Sequence, residues 1–72
     1  LILRPSNPYG LHQLLHGKQG LVSVLLGRIA DDRPLDVWGD GSIVRDYIFV
    51  EDAVRSMGEL IVRNAEGTYN IG

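Results

Sequence analysis

Cysteine is absent from the 72-residue sequence, and long apolar runs are absent as well. Without cysteine the chain can form neither disulfide bonds nor thiolate metal sites, and the redox compartment stays open. No apolar run approaches the roughly 18 residues of a membrane-spanning helix, and no basic segment precedes a short apolar stretch as in a signal peptide. We therefore expect a soluble, cytoplasmic protein with no membrane partner.

Clustered positive charge is absent too. The net charge is −2, and the seven basic residues are scattered along the chain. Because nucleic-acid-binding proteins concentrate lysine and arginine on one face, we expect no nucleic-acid partner. A chain of this length buries only about 60% of its unfolded surface, so it holds at most one small domain with a thin core. Strand-like segments lie against both ends, whereas domain boundaries usually fall in polar linkers, and we expect a piece of a longer protein.

Histidine offers the only spacing that could suggest a metal site. His12 and His16 are four residues apart, which on a helix would place both on one face. No carboxylate or third histidine lies nearby to complete a site, and three glycines within residues 10–20 disfavour a lasting helix. The pattern therefore predicts no metal, and an exposed, mobile loop over residues 10–20.

The hydrophobic pattern alternates between strand-like and helix-like segments. Short apolar or alternating runs indicate strands, and apolar residues at helical spacing indicate helices. The predicted order is strand 1–4, helix 21–30, strands 35–38 and 47–50, a helix that begins at residue 51, and strand 68–71. The first helix is apolar around much of its circumference, which predicts extensive burial. This order of elements indicates an α/β fold.

Two polar segments could carry ligand-binding groups, and the first follows the first strand. Pro5 is expected to end that strand, and residues 6–10 form a loop dense in turn-forming residues. In α/β proteins such loops are where ligand groups collect. From the local sequence alone, the side chain of Asn7 could equally cap its own turn.

The second segment begins at Trp38 and contains Gly39 and Gly41, which permit a tight turn. Arg45 follows the turn, and its planar guanidinium can give two parallel hydrogen bonds to a phosphate. The alternative for Arg45 is an exposed ion pair with Asp46, worth less than about 1 kcal/mol. Trp38 itself is either a core residue or a platform for stacking on a planar ring.

Three segments in order resemble the signatures of one family. They are residues 4–10, residues 38–42 leading into 45–52, and residues 68–72. Together they are similar to the extended short-chain dehydrogenase/reductase family, and within it to NAD-dependent nucleotide-sugar epimerases and dehydratases, above all UDP-glucose 4-epimerase-like enzymes. The resemblance covers essentially the whole chain. It implies a fragment of a Rossmann-type α/β fold, in which residues 1–72 are a partial domain, mainly a segment of the substrate-binding lobe.

The resemblance also implies roles for single residues. It puts the backbone of Pro5 and Ser6 beside the nicotinamide of NAD, and Asn7 at the diphosphate region of a nucleotide-sugar substrate. Arg45 would grip the diphosphate, and Tyr47 would support it. The remaining substrate-binding residues implied in this way are Leu21, near the nucleotide, and Leu35, Asp36 and Trp38, in the uracil pocket.

The whole enzyme implied by the resemblance is a homodimeric, NAD-dependent sugar 4-epimerase acting on a UDP-sugar. Its chemistry would be hydride transfer from a sugar carbon to NAD and back to the other face, with a tyrosine moving the hydroxyl proton. The family's Tyr-x-x-x-Lys pair is missing, since the only lysine is Lys18, nine residues after Tyr9. The glycine-rich dinucleotide fingerprint is missing as well. We expect no catalytic residue in this chain.

Two positions depart from the 4-epimerase pattern. Leu11 stands where the family often has proline, and Gly20 stands where several 4-epimerases have an asparagine that binds the nucleotide. The identity of base and sugar therefore stays open. A nucleotide-sugar dehydratase and a non-catalytic nucleotide-binding module of the same fold are the alternative functions.

Overall fold

The structure, a computed structural model, describes residues 1–13 and 20–72. The chain divides into two compact units, one formed by Leu1–Gly10 and Asp46–Gly72 and the other by Leu11–Arg45. In chain order the elements are β1 (Ile2–Pro5), β2 (Asn7–Tyr9), α1 (Leu21–Ala30), β3 (Tyr47–Phe49), α2 (Val50–Val62) and β4 (Thr68–Ile71). Parallel strand pairs combined with helices confirm the predicted α/β class. Of the helices in the described residues, none is long and apolar enough to cross a membrane.

In the first unit, β1 and β4 form a parallel pair that brings together distant parts of the sequence. The register runs from Ile2 opposite Thr68 to Pro5 opposite Ile71. Both strands were predicted from their apolar and β-branched residues. The prediction that the first strand ends at the proline is confirmed, except that Pro5 is itself the last paired residue, whereas the strand was predicted to stop at Arg4.

The hydrogen bonds of β1 explain why a proline is tolerated there. The N–H of Ile2 donates to the carbonyl of Gly67, and the N–H of Ser6 donates to the carbonyl of Ile71, each at 2.8 Å. Successive residues of a strand point their N–H groups to opposite edges. The N–H that Pro5 lacks would therefore face away from β4, and its absence does not interrupt the ladder.

The second strand pair of this unit corrects the sequence prediction. Residues 6–10 were expected to form a loop, but β2 within them pairs in parallel with β3, from Asn7 opposite Tyr47 to Tyr9 opposite Phe49. The rings of Tyr9 and Phe49 pack with their centroids 5.7 Å apart. The turn-forming residues of this segment are compatible with a strand because its partner, distant in sequence, supplies the hydrogen bonds.

The second helix begins one residue earlier than predicted. Val50 was assigned to the preceding strand, but it is the first residue of α2. An apolar residue at such a junction suits either element, so the pattern could not decide the boundary. Glu51 and Asp52 lie in the first turn, where acidic side chains stabilise the helix dipole.

The buried apolar core of the described residues is small. It consists of Ala53 on α2, 2% exposed, and Ile71 on β4, 8% exposed. The expectation of a thin core is confirmed. Two other members of the apolar stripe of α2, Val54 and Ile61, are exposed, so the stripe is covered along only part of its length.

The second unit contains α1, whose bounds match the predicted helix. The prediction of extensive burial is wrong, because its buried residues are Ser23 and Gly27, whereas Leu26 and Ile29 are exposed. No second helix or strand in the described part of this unit is available to cover them. The predictions for His16 and for most of the loop around it lie outside the described residues.

The segment 35–38 was predicted as a strand, and this prediction is also wrong. Its residues form no strand and are exposed. A strand requires a neighbouring strand to complete its hydrogen bonds, and none of the described residues pairs with this segment.

Candidate functional site

The second unit contains a cavity of about 580 Å³, a size typical of small-molecule sites. Four of the residues chosen from the sequence lie around it, contributed by the start of α1 and by the segment that follows the helix. Among the described residues its lining is Leu21, Val24, Leu25, Arg28, Leu35, Asp36 and Trp38. The structure therefore brings together the predicted nucleotide-proximal and uracil-pocket residues, while their roles stay predictions.

Trp38 is the most exposed aromatic residue at this cavity. Its exposed fraction is 87%, so the interpretation of Trp38 as a core residue is wrong. The described residues form a single aromatic pair, and Trp38 is not part of it. Its indole face is available to a planar ligand, and stacking of a base on an aromatic ring is worth about 1–3 kcal/mol.

The turn after Trp38 is held by glycine geometry and by two local hydrogen bonds. Gly39 has φ 75° and Gly41 has φ 78°, backbone angles that glycine adopts without steric cost. The hydroxyl and the backbone N–H of Ser42 donate to Oδ1 of Asp40 at 2.5 and 3.0 Å. These two bonds hold the pKa of the exposed Asp40 carboxyl below its ordinary value of 3.8, and the bond from the hydroxyl has the larger effect.

Arg28 lines the cavity but was not singled out from the sequence. Its Nη1 donates to the carbonyl of Pro34 at 3.0 Å, and its Nη2 lies 3.9 Å from Oδ2 of Asp36. The guanidinium thus joins the last turn of α1 to the segment that follows. A cation in the last helical turn, six residues before a proline, was the available signal, but its direction depended on how the chain turns back.

Asn7 is fixed in the first unit by a neighbouring strand. The carbonyl of Asp46 accepts hydrogen bonds from the backbone N–H of Asn7 at 3.2 Å and from its Nδ2 at 2.8 Å. The amide therefore does not cap its own turn, and its Oδ1 accepts no hydrogen bond from the described residues. Tyr47, predicted to support the diphosphate, stands opposite Asn7 in the register of β2 and β3.

Pro5 and Ser6 lie at the carboxyl end of β1, beside the end of β4. The hydroxyl of Ser6 is buried and has no hydrogen-bond partner among the described residues. A Cβ added at Gly72 would overlap the carboxylate of Asp46 and come into contact with this hydroxyl. In open α/β sheets, ligands bind at this end of the strands.

Arg45 is the last residue of the second unit. Its Nη1 donates to the carbonyl of Val44 at 3.1 Å, and the residue is exposed. Among the described residues this is the one hydrogen bond of its guanidinium, which leaves its other N–H groups for an anion. Its role at a diphosphate stays a prediction.

A second cavity, of about 480 Å³, lies in the first unit between α2 and β4. Two arginines line it, but each is close to an acid on the same helix. Arg63 Nε lies 3.4 Å from Glu59 Oε2, and Arg55 Nη1 lies 3.9 Å from Asp52 Oδ1. Each cation of this cavity therefore has a carboxylate nearby, as Arg28 has in the cavity around Trp38.

Comparison with known proteins gives a consistent family. The model of a family described as the NAD dependent epimerase/dehydratase family matches residues 1–72. No solved structure matches the chain.

Three curated relatives illustrate the range of activities. The chain is 42% identical to a dTDP-4-dehydro-6-deoxyglucose reductase of Escherichia coli, over 97% of this chain and 22% of the relative. It is 36% identical to a dTDP-glucose 4,6-dehydratase of Neisseria meningitidis, over 100% of this chain and 20% of the relative. It is 40% identical to a UDP-glucose 4-epimerase of Mycolicibacterium smegmatis, over 72% of this chain and 17% of the relative. The chain spans about a fifth of the length of these relatives.

Proposed function

Since the chain belongs to the NAD-dependent epimerase/dehydratase family, we propose that it forms the nucleotide-sugar-binding part of an enzyme of that family. The observation that carries the proposal is the cavity of the second unit. Leu21, Leu35, Asp36 and Trp38 were selected as substrate-binding residues from the sequence, and all four line it. They lie in two separate segments of sequence, and their convergence supports a common ligand.

The proposed division of work follows the chemistry of the side chains. The indole of Trp38 stacks on the base, and Leu21 and Leu35 provide apolar walls. Arg45 gives parallel hydrogen bonds to the diphosphate, as a planar guanidinium can. Asn7, held by the carbonyl of Asp46, offers its amide to the diphosphate and sugar, and Tyr47 lies beside it.

The residues at the carboxyl end of β1 fit the nicotinamide part of NAD. The buried hydroxyl of Ser6 lacks a partner among the described residues, and Pro5 and Ser6 lie where an α/β sheet binds its cofactor. The chemistry that NAD supplies when bound is reversible acceptance of a hydride. The residues of this chain bind and orient the substrate for that chemistry, and fixed orientation is itself a large part of catalysis.

Two reactions fit this site. The sequence motifs favour a 4-epimerase that acts on a UDP-sugar. The relatives aligned over 97–100% of the chain are named as a reductase and a dehydratase of dTDP-sugars, which favours a 4,6-dehydratase acting on a dTDP-sugar as the second candidate. A homodimeric enzyme and a cytoplasmic location are further parts of the proposal, based on the family resemblance and on composition.

The test is turnover by the complete protein with NAD, offered UDP-glucose and dTDP-glucose separately. Appearance of UDP-galactose supports the 4-epimerase, and loss of water from dTDP-glucose supports the dehydratase. Trp38→Ala should raise the KM about tenfold or more through loss of stacking, whereas Val44→Ala, equally exposed and outside the cavity lining, should not. Binding without turnover would favour the non-catalytic module, and absence of binding would refute the proposal.

A further inference from the structure

We propose that Arg28 and Asp36 select the base of the nucleotide by reading the edge that uracil and thymine share. This inference rests on the proposed function and makes it more specific. The two side chains line the same cavity as Trp38. A base stacked on the indole would present its hydrogen-bonding edge to groups at the rim of that cavity.

The guanidinium of Arg28 is positioned before any ligand arrives. Its hydrogen bond to the carbonyl of Pro34 uses one of its five N–H donors. The backbone N–H of Arg33 also donates to the carbonyl of Arg28 at 2.8 Å, which closes the turn after α1. The side chain of Arg28 is 34% exposed, so it is partly shielded while its remaining donors can still be reached.

The carboxylate of Asp36 lies next to the guanidinium of Arg28 but is not hydrogen-bonded to it. The separation of 3.9 Å between Arg28 Nη2 and Asp36 Oδ2 is too long for a hydrogen bond. Asp36 is 75% exposed, so its oxygens can be reached from the cavity. A donor and an acceptor therefore lie side by side, each with unused hydrogen-bonding capacity.

This donor and acceptor pair matches one class of pyrimidine. Uracil and thymine carry a carbonyl oxygen next to a ring N–H, so the carbonyl can accept from Arg28 while the N–H donates to Asp36. Cytosine has nearly the same size but offers an amino group beside an unprotonated ring nitrogen. Held by its ribose in the position that uracil takes, it would turn a donor toward the guanidinium and a lone pair toward the carboxylate, and both contacts would be unfavourable.

The experiment measures dissociation constants of the complete protein for UDP, dTDP and CDP by titration calorimetry. The unmodified protein should bind UDP and dTDP about tenfold more tightly than CDP, because CDP leaves the side chains of Arg28 and Asp36 unpaired. Arg28→Gln should weaken UDP binding about five- to tenfold and leave CDP binding nearly unchanged. The control Arg33→Gln removes the same charge from a residue outside the described cavity lining, and should alter neither.

A second variant avoids dependence on the folding of Arg28→Gln. Asp36→Asn replaces the acceptor by an amide that can donate to the ring nitrogen of cytosine, so CDP binding should improve while UDP binding weakens. A protein without preference for UDP over CDP, or equal losses for both ligands in Arg28→Gln, would overturn the inference. If UDP-glucose or dTDP-glucose were still bound, the proposed function would survive, whereas failure to bind any of these ligands would overturn both.

Discussion

The two units of the chain are held together in different ways. In the first unit, backbone ladders join segments far apart in sequence, as in the pairing of Ile2 with Thr68. In the described part of the second, hydrogen bonds join groups at most ten residues apart, such as Ser23 Oγ to Gln13 Oε1 at 2.7 Å and Arg28 Nη1 to the carbonyl of Pro34 at 3.0 Å. Long-range pairing places the small apolar core in the first unit, and local contacts shape a cavity in the second.

This difference separates stability from binding. Both buried apolar residues of the described chain, Ala53 and Ile71, belong to the first unit. The cavity lined by Trp38 and Asp36 belongs to the second, and both of these side chains are exposed. Substitutions in the first unit should therefore lower the free energy of unfolding, whereas those around the cavity should change ligand affinity with little effect on stability.

The largest expected effect is on the core of the first unit. Ile71→Ala should lower the free energy of unfolding by about 2–5 kcal/mol, because it removes buried methyl groups and leaves a cavity. Val62→Ala, on the exposed side of α2, should stay within about 0.5 kcal/mol of the unmodified protein. Urea unfolding of the complete protein measures both, and equal losses for the two variants would contradict the division between the units.

A smaller effect is expected where β2 approaches α2. A Cβ on Gly10 would overlap the side chain of Val50, so Gly10→Ala should cost about 1–3 kcal/mol of unfolding free energy through overpacking. The matched control is Gly58→Ala on α2, where a Cβ meets no atom within 4 Å. It should stabilise the protein by about 0.5–1 kcal/mol, since glycine is a poor helix former. Similar signs for both variants would show that the contact with Val50 is absent in solution.

The smallest effect concerns the turn of the second unit. Ser42 lowers the pKa of Asp40, so the turn is stabilised above the ordinary pKa of the carboxyl, and this stabilisation is lost as the pH falls through the lowered value. Ser42→Ala should therefore raise the pKa of Asp40 toward 3.8, as measured by NMR titration of its carboxyl carbon. The control Ser56→Ala removes a hydroxyl that forms a hydrogen bond within α2. It should leave the pKa of Asp40 unchanged. An unaltered pKa in Ser42→Ala would mean that the turn opens in solution.

The elements predicted correctly are those whose signal is local. The bounds of α1 follow from apolar spacing within one continuous segment, and β4 follows from its β-branched and aromatic residues. The strand β2 was missed, because Asn7 and Pro8 are typical of turns and the partner strand, which begins at Tyr47, is distant in sequence. Strand pairing is a property of two segments, and the pattern of one segment cannot reveal it.

The residues of the candidate site also divide into those that were selected from the sequence and one that only the structure revealed. Leu21, Leu35, Asp36 and Trp38 were chosen from what the family resemblance implies, and the structure brings them to one cavity. Arg28 was missed, because its place at the cavity depends on the chain turning back so that the carbonyl of Pro34 meets the guanidinium.

The sequence by itself determined the α/β class and the helices, because side-chain chemistry and hydrophobic spacing are properties of a single continuous segment. Tertiary structure alone decided that Pro5 is paired as the last residue of a strand, that Trp38 is exposed and that Arg28 lies beside Asp36. Each of these outcomes depends on which distant groups share hydrogen bonds or exclude water from one another, and that is settled only when the chain folds.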